Sequence, residues 1–172
     1  MYGWIGKVLK VDLTKHTIEV EEHDERFYRK YLGGSNVVAY YLLKEIPKGI
    51  DAFDPENRIV VATSVLTGTP VAGCGRHSMG CLSPLTGGMA NSEAGGHFGP
   101  ELKFAGFDAI VISGRAEKPC YLWVQDGKAE ICDGAAVWGK TTGEVQQIIR
   151  DDYLWCKSCI YRRLCRNGLH YF

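Results

Sequence analysis

The sequence predicts an α+β domain of antiparallel β-sheets with a few short helices, and three observations carry that prediction. Residues 7–21 alternate apolar and polar side chains across a polar turn, as a half-buried hairpin does. A second hairpin is written in CYLWV-QDGK-AEI, whose Asp126-Gly127 pair suits a two-residue turn with positive φ. The helical stretches are short, and the first three are closed by glycine or proline.

In order, Lys7 to Leu13 and Thr17 to Glu21 form the first hairpin around Thr14-Lys15-His16, with Val11, Leu13, Ile18 and Val20 expected to face inward. Helices follow over Glu25 to Leu32, stopped by Gly33-Gly34, and over Asn36 to Glu45, with Ser35 as N-cap and Pro47 beyond the end. RIVVATS at 58–64 is β-branched and short, which predicts a buried strand. From Leu66 to Pro100, glycine, serine and threonine replace apolar periodicity, so this stretch reads as a long loop, and long loops in small domains tend to carry function. Glu101 to Ala105 gives a short helix ended by Gly106, then DAIVIS a strand. Thr141 to Glu144 has capping-box spacing ahead of the apolar stripe Val145, Ile148 and Ile149. No internal repeat and no linker appears before about residue 153.

With 172 residues and 45% apolar composition, the chain is long enough for one domain with one core. Twenty basic and twenty acidic side chains cancel, so no overall field steers it to nucleic acid or to an anionic membrane. No apolar run reaches the roughly 18–20 residues of a bilayer span, and the expected location is cytoplasmic. In a reducing compartment Cys74, Cys81, Cys120 and Cys132 read as free thiols. His16 and His23 lie in polar turn sequence and read as solvated.

Chemistry is expected in the long glycine-rich stretch, where backbone can approach a ligand and amide protons can point at an anion. GCGRHSMG has neither Walker nor dinucleotide spacing, but phosphate suits MANSEAGGHFGPELK, which enters a helix through two glycines. Structural turns are the competing reading of the same glycines. Arg76 follows Gly73-Cys74-Gly75, small neighbours that leave its planar fork open to a bound anion, as they also would an ordinary surface arginine.

A longer pattern runs in register through GKVLKVDLT, YLGG, DPENRIVVATS, LTGTP, Gly75-Arg76, SPLTGG, GGHFGPELKFAGFDAIVISGRAEKP and WGKTT. Over residues 1 to about 153 it resembles the N-terminal domain of the aldehyde:ferredoxin oxidoreductase family, the tungsten and molybdenum bis-pterin enzymes. The resemblance implies a base of antiparallel sheet on which two magnesium-bridged pterins rest. It places Arg76 between pterin and iron–sulfur cluster, and Glu93 and Gly95 at the pterin phosphate and its magnesium. Glu93 departs from the asparagine of better-known relatives, and Asn91 is the alternative; Ser64-Val65 departs from the usual Gly-Pro. The implied reaction is oxidation of an aldehyde to a carboxylic acid, with electrons leaving through a [4Fe-4S] cluster to ferredoxin. No catalytic residue and no metal ligand is assigned to this stretch, and homo-oligomerisation and the choice between tungsten and molybdenum stay open. The chain alone is expected to be inactive, since the family's cluster ligands and substrate channel lie beyond this domain.

The tail from residue 154 is anomalous. Cys156, Cys159 and Cys165 form C-x2-C-x5-C, which does not match the family's cluster spacing. Trp155 to Arg162 can be encoded so that a start one base later reads GAKVAYIG, the strand the family places there, so the tail is expected to be out-of-frame translation. The competing readings are a small metal-binding or electron-transfer protein that uses these cysteines, and a scaffold subunit of a split oxidoreductase.

Overall fold

The computed structural model describes residues 3–152, so the anomalous tail lies outside the described residues. Eight strands and four helices follow in the order β1 (Lys7–Asp12), β2 (Thr17–Glu22), α1 (Glu25–Tyr31), α2 (Ser35–Glu45), β3 (Arg58–Thr63), β4 (His77–Leu82), β5 (Met89–Ala94), α3 (Phe98–Phe104), β6 (Ala109–Ser113), β7 (Cys120–Gln125), β8 (Lys128–Asp133) and α4 (Thr142–Asp152). Six strands make one sheet in the order β2-β1-β6-β3-β4-β5, and β7 and β8 make a separate hairpin.

The sheet buries both faces at its centre, because neighbouring residues on a strand point to opposite sides. Val8, Val60, Ala62, Ala109 and Val111 meet Val37, Val38, Tyr41 and Leu42 of α2 on one face. Leu9, Val11 and Ile110 meet Leu102 of α3, Ala105 just past its end, and Leu122 and Val124 of β7 on the other. Each such apolar side chain taken from water contributes about 1.5–3 kcal/mol before the entropy of ordering is subtracted. Gly80 lets α2 lie close on β4: a Cβ there would stand 2.6 Å from Val38 Cγ1 and 2.5 Å from the Ala90 carbonyl oxygen.

Both predicted hairpins form, and Asp126 and Gly127 turn the second with φ of 48° and 77°. The capping box also forms, with Glu144 Oε2 accepting from the Thr141 amide at 2.7 Å and Thr141 Oγ1 accepting from the Glu144 amide at 3.4 Å. The expected α+β class holds, with five of the six strand pairs among the described residues antiparallel, and finer expectations are corrected. The sheet is mixed, since β1 and β6 pair in parallel with Val8 opposite Ala109, and parallel pairs need the long crossover that separates these two strands. The expected loop contains β4 and β5, zipped in register from His77–Ala94 to Leu82–Met89. Their residues carry little β-propensity, and pairing with β3 and packing under α2 supply what propensity does not. Val20 shares the face of Leu9, its partner across β1 and β2, yet is 46% exposed, because β2 is an edge strand and the covering layer on that face reaches Ile18 but leaves Val20 open. α3 starts three residues earlier than the sequence pattern suggests. Ser35 is the first helical residue of α2, and Gly34 is its N-cap.

His23 is not a solvated turn residue. Its ring stacks on Phe27 at 3.8 Å between centroids, and its Nε2 is 2.7 Å from the Tyr41 hydroxyl. That hydroxyl donates to Glu21 Oε2 at 3.1 Å, which leaves its lone pair to accept from His23 Nε2–H and fixes the tautomer.

Candidate functional site

Where β3 ends, β4 begins and β5 ends, the chain leaves a concavity of about 380 Å³ beside the start of α2. Gly33 and Gly34 build its wall. The Gly34 amide donates to the Thr63 carbonyl at 2.9 Å and the Val65 amide to the Leu32 carbonyl at 3.1 Å, so α2 begins directly against the end of β3. Only glycine fits at 33, with φ of 97° and a hypothetical Cβ 2.3 Å from the Thr63 carbonyl oxygen.

Arg76 lies just before β4, and its backbone is anchored from below: buried Thr67 donates its hydroxyl to the Arg76 carbonyl at 2.9 Å. The side chain itself is 70% exposed at the mouth of the concavity, and Nη1 lies 3.7 Å from Oε2 of Glu93. Glu93 reaches that point because the β4–β5 register sets it directly opposite Ser78, on the same face of the sheet. Its Oε1 is 3.4 Å from both Ser78 Oγ and Ser35 Oγ, and the two hydroxyls are 3.1 Å apart. Gly95 is exposed just past β5, with nothing within 4 Å of where a Cβ would sit.

The structure therefore brings together Arg76 and Glu93, which lie seventeen positions apart in sequence, and leaves Gly95 at the open end of the same strand. Sequence reasoning missed Ser35, Ser78 and Thr67. Their signal was present in part: YLGGSN and LTGTP are the segments that build the wall and the anchor, but nothing in either predicts that they meet. The arrangement can bind an anion: an exposed guanidinium, two hydroxyls and glycine backbone offer donors, while Glu93 offers the opposing charge. Among the described residues no group of three or more His, Cys, Asp or Glu side chains is placed to hold a metal ion. No helix among them is long and apolar enough to cross a membrane.

A second concavity of about 240 Å³ lies between the base of the β7–β8 hairpin and the start of α4, lined by Pro119, Val137, Trp138 and Val145 among others. Its walls are mainly apolar, and among the described residues its ionisable side chains are Cys120, Tyr121 and Lys140.

Comparison with known proteins shows the family. Residues 8–161 match the family model described as the aldehyde ferredoxin oxidoreductase N-terminal domain. The tungsten-containing aldehyde ferredoxin oxidoreductase of Pyrococcus abyssi is 45% identical over 152 residues, which is 88% of this chain and 25% of that protein. The aliphatic sulfonate oxidoreductase WOR-like subunit of Pyrococcus furiosus is 36% identical over 142 residues, 81% of this chain and 22% of the relative. Among solved structures, the active-site complex BamBC of benzoyl coenzyme A reductase, in complex with 1,5 dienoyl-CoA, superposes with a TM-score of 0.85 at 39% identity, covering 89% of this chain and 23% of that one. The chain thus spans about a quarter of the length of these relatives. It belongs to the aldehyde ferredoxin oxidoreductase family, as that family's N-terminal domain.

Proposed function

We propose that this domain is the floor on which a bis-pterin tungsten or molybdenum cofactor rests in a larger oxidoreductase. The observation that carries the proposal is the exposed Arg76 guanidinium beside glycine backbone, in a concavity open to a ligand. The residues present fit such a group. Arg76 would hold its anionic part, the Gly33-Gly34 wall would let it approach the backbone, and Gly95 leaves space at the end of β5. Glu93 would lie at the magnesium-bridged phosphate, where a carboxylate is favourable toward the cation and unfavourable toward the phosphate. The bound metal would supply the two-electron redox chemistry.

The reaction this supports is RCHO + H2O → RCOOH + 2H⁺ + 2e⁻, with the electrons passing through a [4Fe-4S] cluster to ferredoxin in the complete protein. The names of the tungsten relatives support that reading. A second reading is favoured by a relative named as a subunit of an aliphatic sulfonate oxidoreductase and by the benzoyl coenzyme A reductase complex: the same floor in a multi-subunit enzyme acting on a substrate other than an aldehyde.

The test is expression of the complete gene under tungstate or molybdate, followed by metal analysis and by dye or ferredoxin reduction with aldehydes, sulfonates and acyl-CoA thioesters in turn. Bound metal with aldehyde-dependent reduction supports the first reading. Reduction driven by another substrate class supports the second, and a purified complete protein free of tungsten, molybdenum and pterin counts against both.

A further inference from the structure

The acceptor that meets Arg76 and the first residue of α2 is supplied by the protein itself. α2 is eleven residues long, its N-cap Gly34 has no side chain to accept from the helix amides, and its first turn has no acidic residue. The carboxylate found at that end comes instead from across the sheet. Glu93 Oε1 lies within 3.4 Å of both Ser35 Oγ and Ser78 Oγ, and Oε2 lies 3.7 Å from Arg76 Nη1. Three of the donors that an incoming anion would use are thus already facing one negative charge. The pair is open to solvent, with the side chains 70% and 47% exposed, so a ligand can reach both partners without opening the core. Exposed pairs of this kind contribute little to stability, and the consequence of this one falls on binding.

We infer that Glu93 is a built-in counter-anion that sets the selectivity of the concavity. It occupies Arg76 and the two serine hydroxyls until a ligand anion takes them, and its charge opposes every anion that does so. The inference rests on the reading that this concavity receives an anionic group, and extends it: bare anions are disfavoured, so a ligand must bring contacts beyond its charge. By Coulomb's law, a carboxylate about 6 Å from a bound anion in a water-like medium weakens binding roughly threefold per unit of ligand charge, hence about tenfold for a phosphate dianion.

The experiment titrates the 172-residue chain with inorganic phosphate in metal-free buffer near pH 7.5, following the Arg76 Nε–H resonance and the backbone amides by NMR. Wild type is compared with Glu93→Gln, Arg76→Ala and the double variant. Glutamine is isosteric at this exposed edge position, and unchanged amide shifts across β4 verify the fold; Glu93→Ser is the second variant. The expected result is phosphate affinity about tenfold higher in Glu93→Gln, with the gain abolished when Arg76 is also removed. Equal or weaker binding in Glu93→Gln, together with a loss in Arg76→Ala, overturns the inference and leaves the anion site standing. Affinity indifferent to Arg76, or no phosphate binding by wild type and Glu93→Gln alike, overturns both.

Discussion

The Lys103 ammonium lies 3.0 Å from Asp108 Oδ1, and the two side chains are only 6% and 4% exposed. The other carboxylate oxygen accepts from the amides of Ile5 and Gly6 at 2.8 and 2.7 Å, and Lys103 also donates to the Gly3 carbonyl. One buried ion pair therefore ties the N-terminal segment to α3 and to the start of β6. α3 in turn lies beside the loop whose Thr67 holds the Arg76 backbone: a Cβ added at Gly68 would stand 3.6 Å from Lys103 Cβ, and one added at Gly99 3.0 Å from Thr67 Cγ2. Removing one partner strands the other charge in the core, at a cost of about 3–5 kcal/mol. Lys103→Met and Asp108→Leu are each expected to lower the unfolding free energy measured in urea by that much, and the double variant by less than the sum. Losses below about 1 kcal/mol in both single variants would contradict the role of the pair.

Close packing of α2 on the sheet gives a second prediction. Gly80→Ala places a methyl group against Val38 and the Ala90 carbonyl oxygen, and overpacking of this kind typically costs about 1–3 kcal/mol. Because Ser35 and Ser78 sit on the two elements that must then separate, the same variant is expected to weaken anion binding at the concavity. Thermal unfolding and phosphate titration check the two effects separately; a variant as stable as wild type would show that α2 is not held as the structure has it.

Acidification should loosen the β2–α2 contact in two stages. Burial holds His23 below its usual 6.5, with the charges of Lys44 and Lys10 adding to this and those of Glu21 and Asp24 opposing it. Burial also raises Glu21, but the hydrogen bond and charge of Lys44, the charge of Lys10 and the Tyr41 hydroxyl outweigh it and leave the carboxyl below its usual 4.5. In both cases the folded value is the lower one, so the unfolded chain binds the proton first and stability rises with pH across the gap. The His23 contribution is complete above about pH 6.5 and lost below it. That of Glu21 is complete above about pH 4.5 and lost below that. Melting temperature followed from pH 8 to pH 4 is expected to show both steps, and His23→Gln to remove the upper one. An unchanged profile in that variant would contradict the assignment.

The sequence made the strongly periodic elements legible. β3 and β6 are β-branched runs, and Asp126-Gly127 names its own turn. It did not make β4 and β5 legible, because HSMGCL and MANSEA owe their extended form to partners rather than to composition: Gly80 is there to admit α2, and β5 is an edge strand whose residues face water. His23 was misread for a related reason, since nothing local shows that Phe27 and Tyr41 close over it. At the site, Arg76 stood out for its small neighbours, and Glu93 entered only by resemblance. Ser78 could not be found without the β4–β5 register, which pairs it with Glu93, nor Thr67 without the fold that brings it under Arg76.

The central claim, that the Arg76 concavity is the cofactor-bearing face, is tested most directly by cofactor content in the complete protein. Arg76→Ala should be purified alongside Leu85→Ala, a control at a side chain 91% exposed. Loss of a charge-assisted hydrogen bond costs about 1.5–3 kcal/mol, so roughly ten- to hundredfold weaker retention is expected. The account predicts that Arg76→Ala loses most of its tungsten or molybdenum and its pterin while melting within a degree or two of wild type, and that Leu85→Ala loses neither. Full metal and pterin content in Arg76→Ala would contradict it.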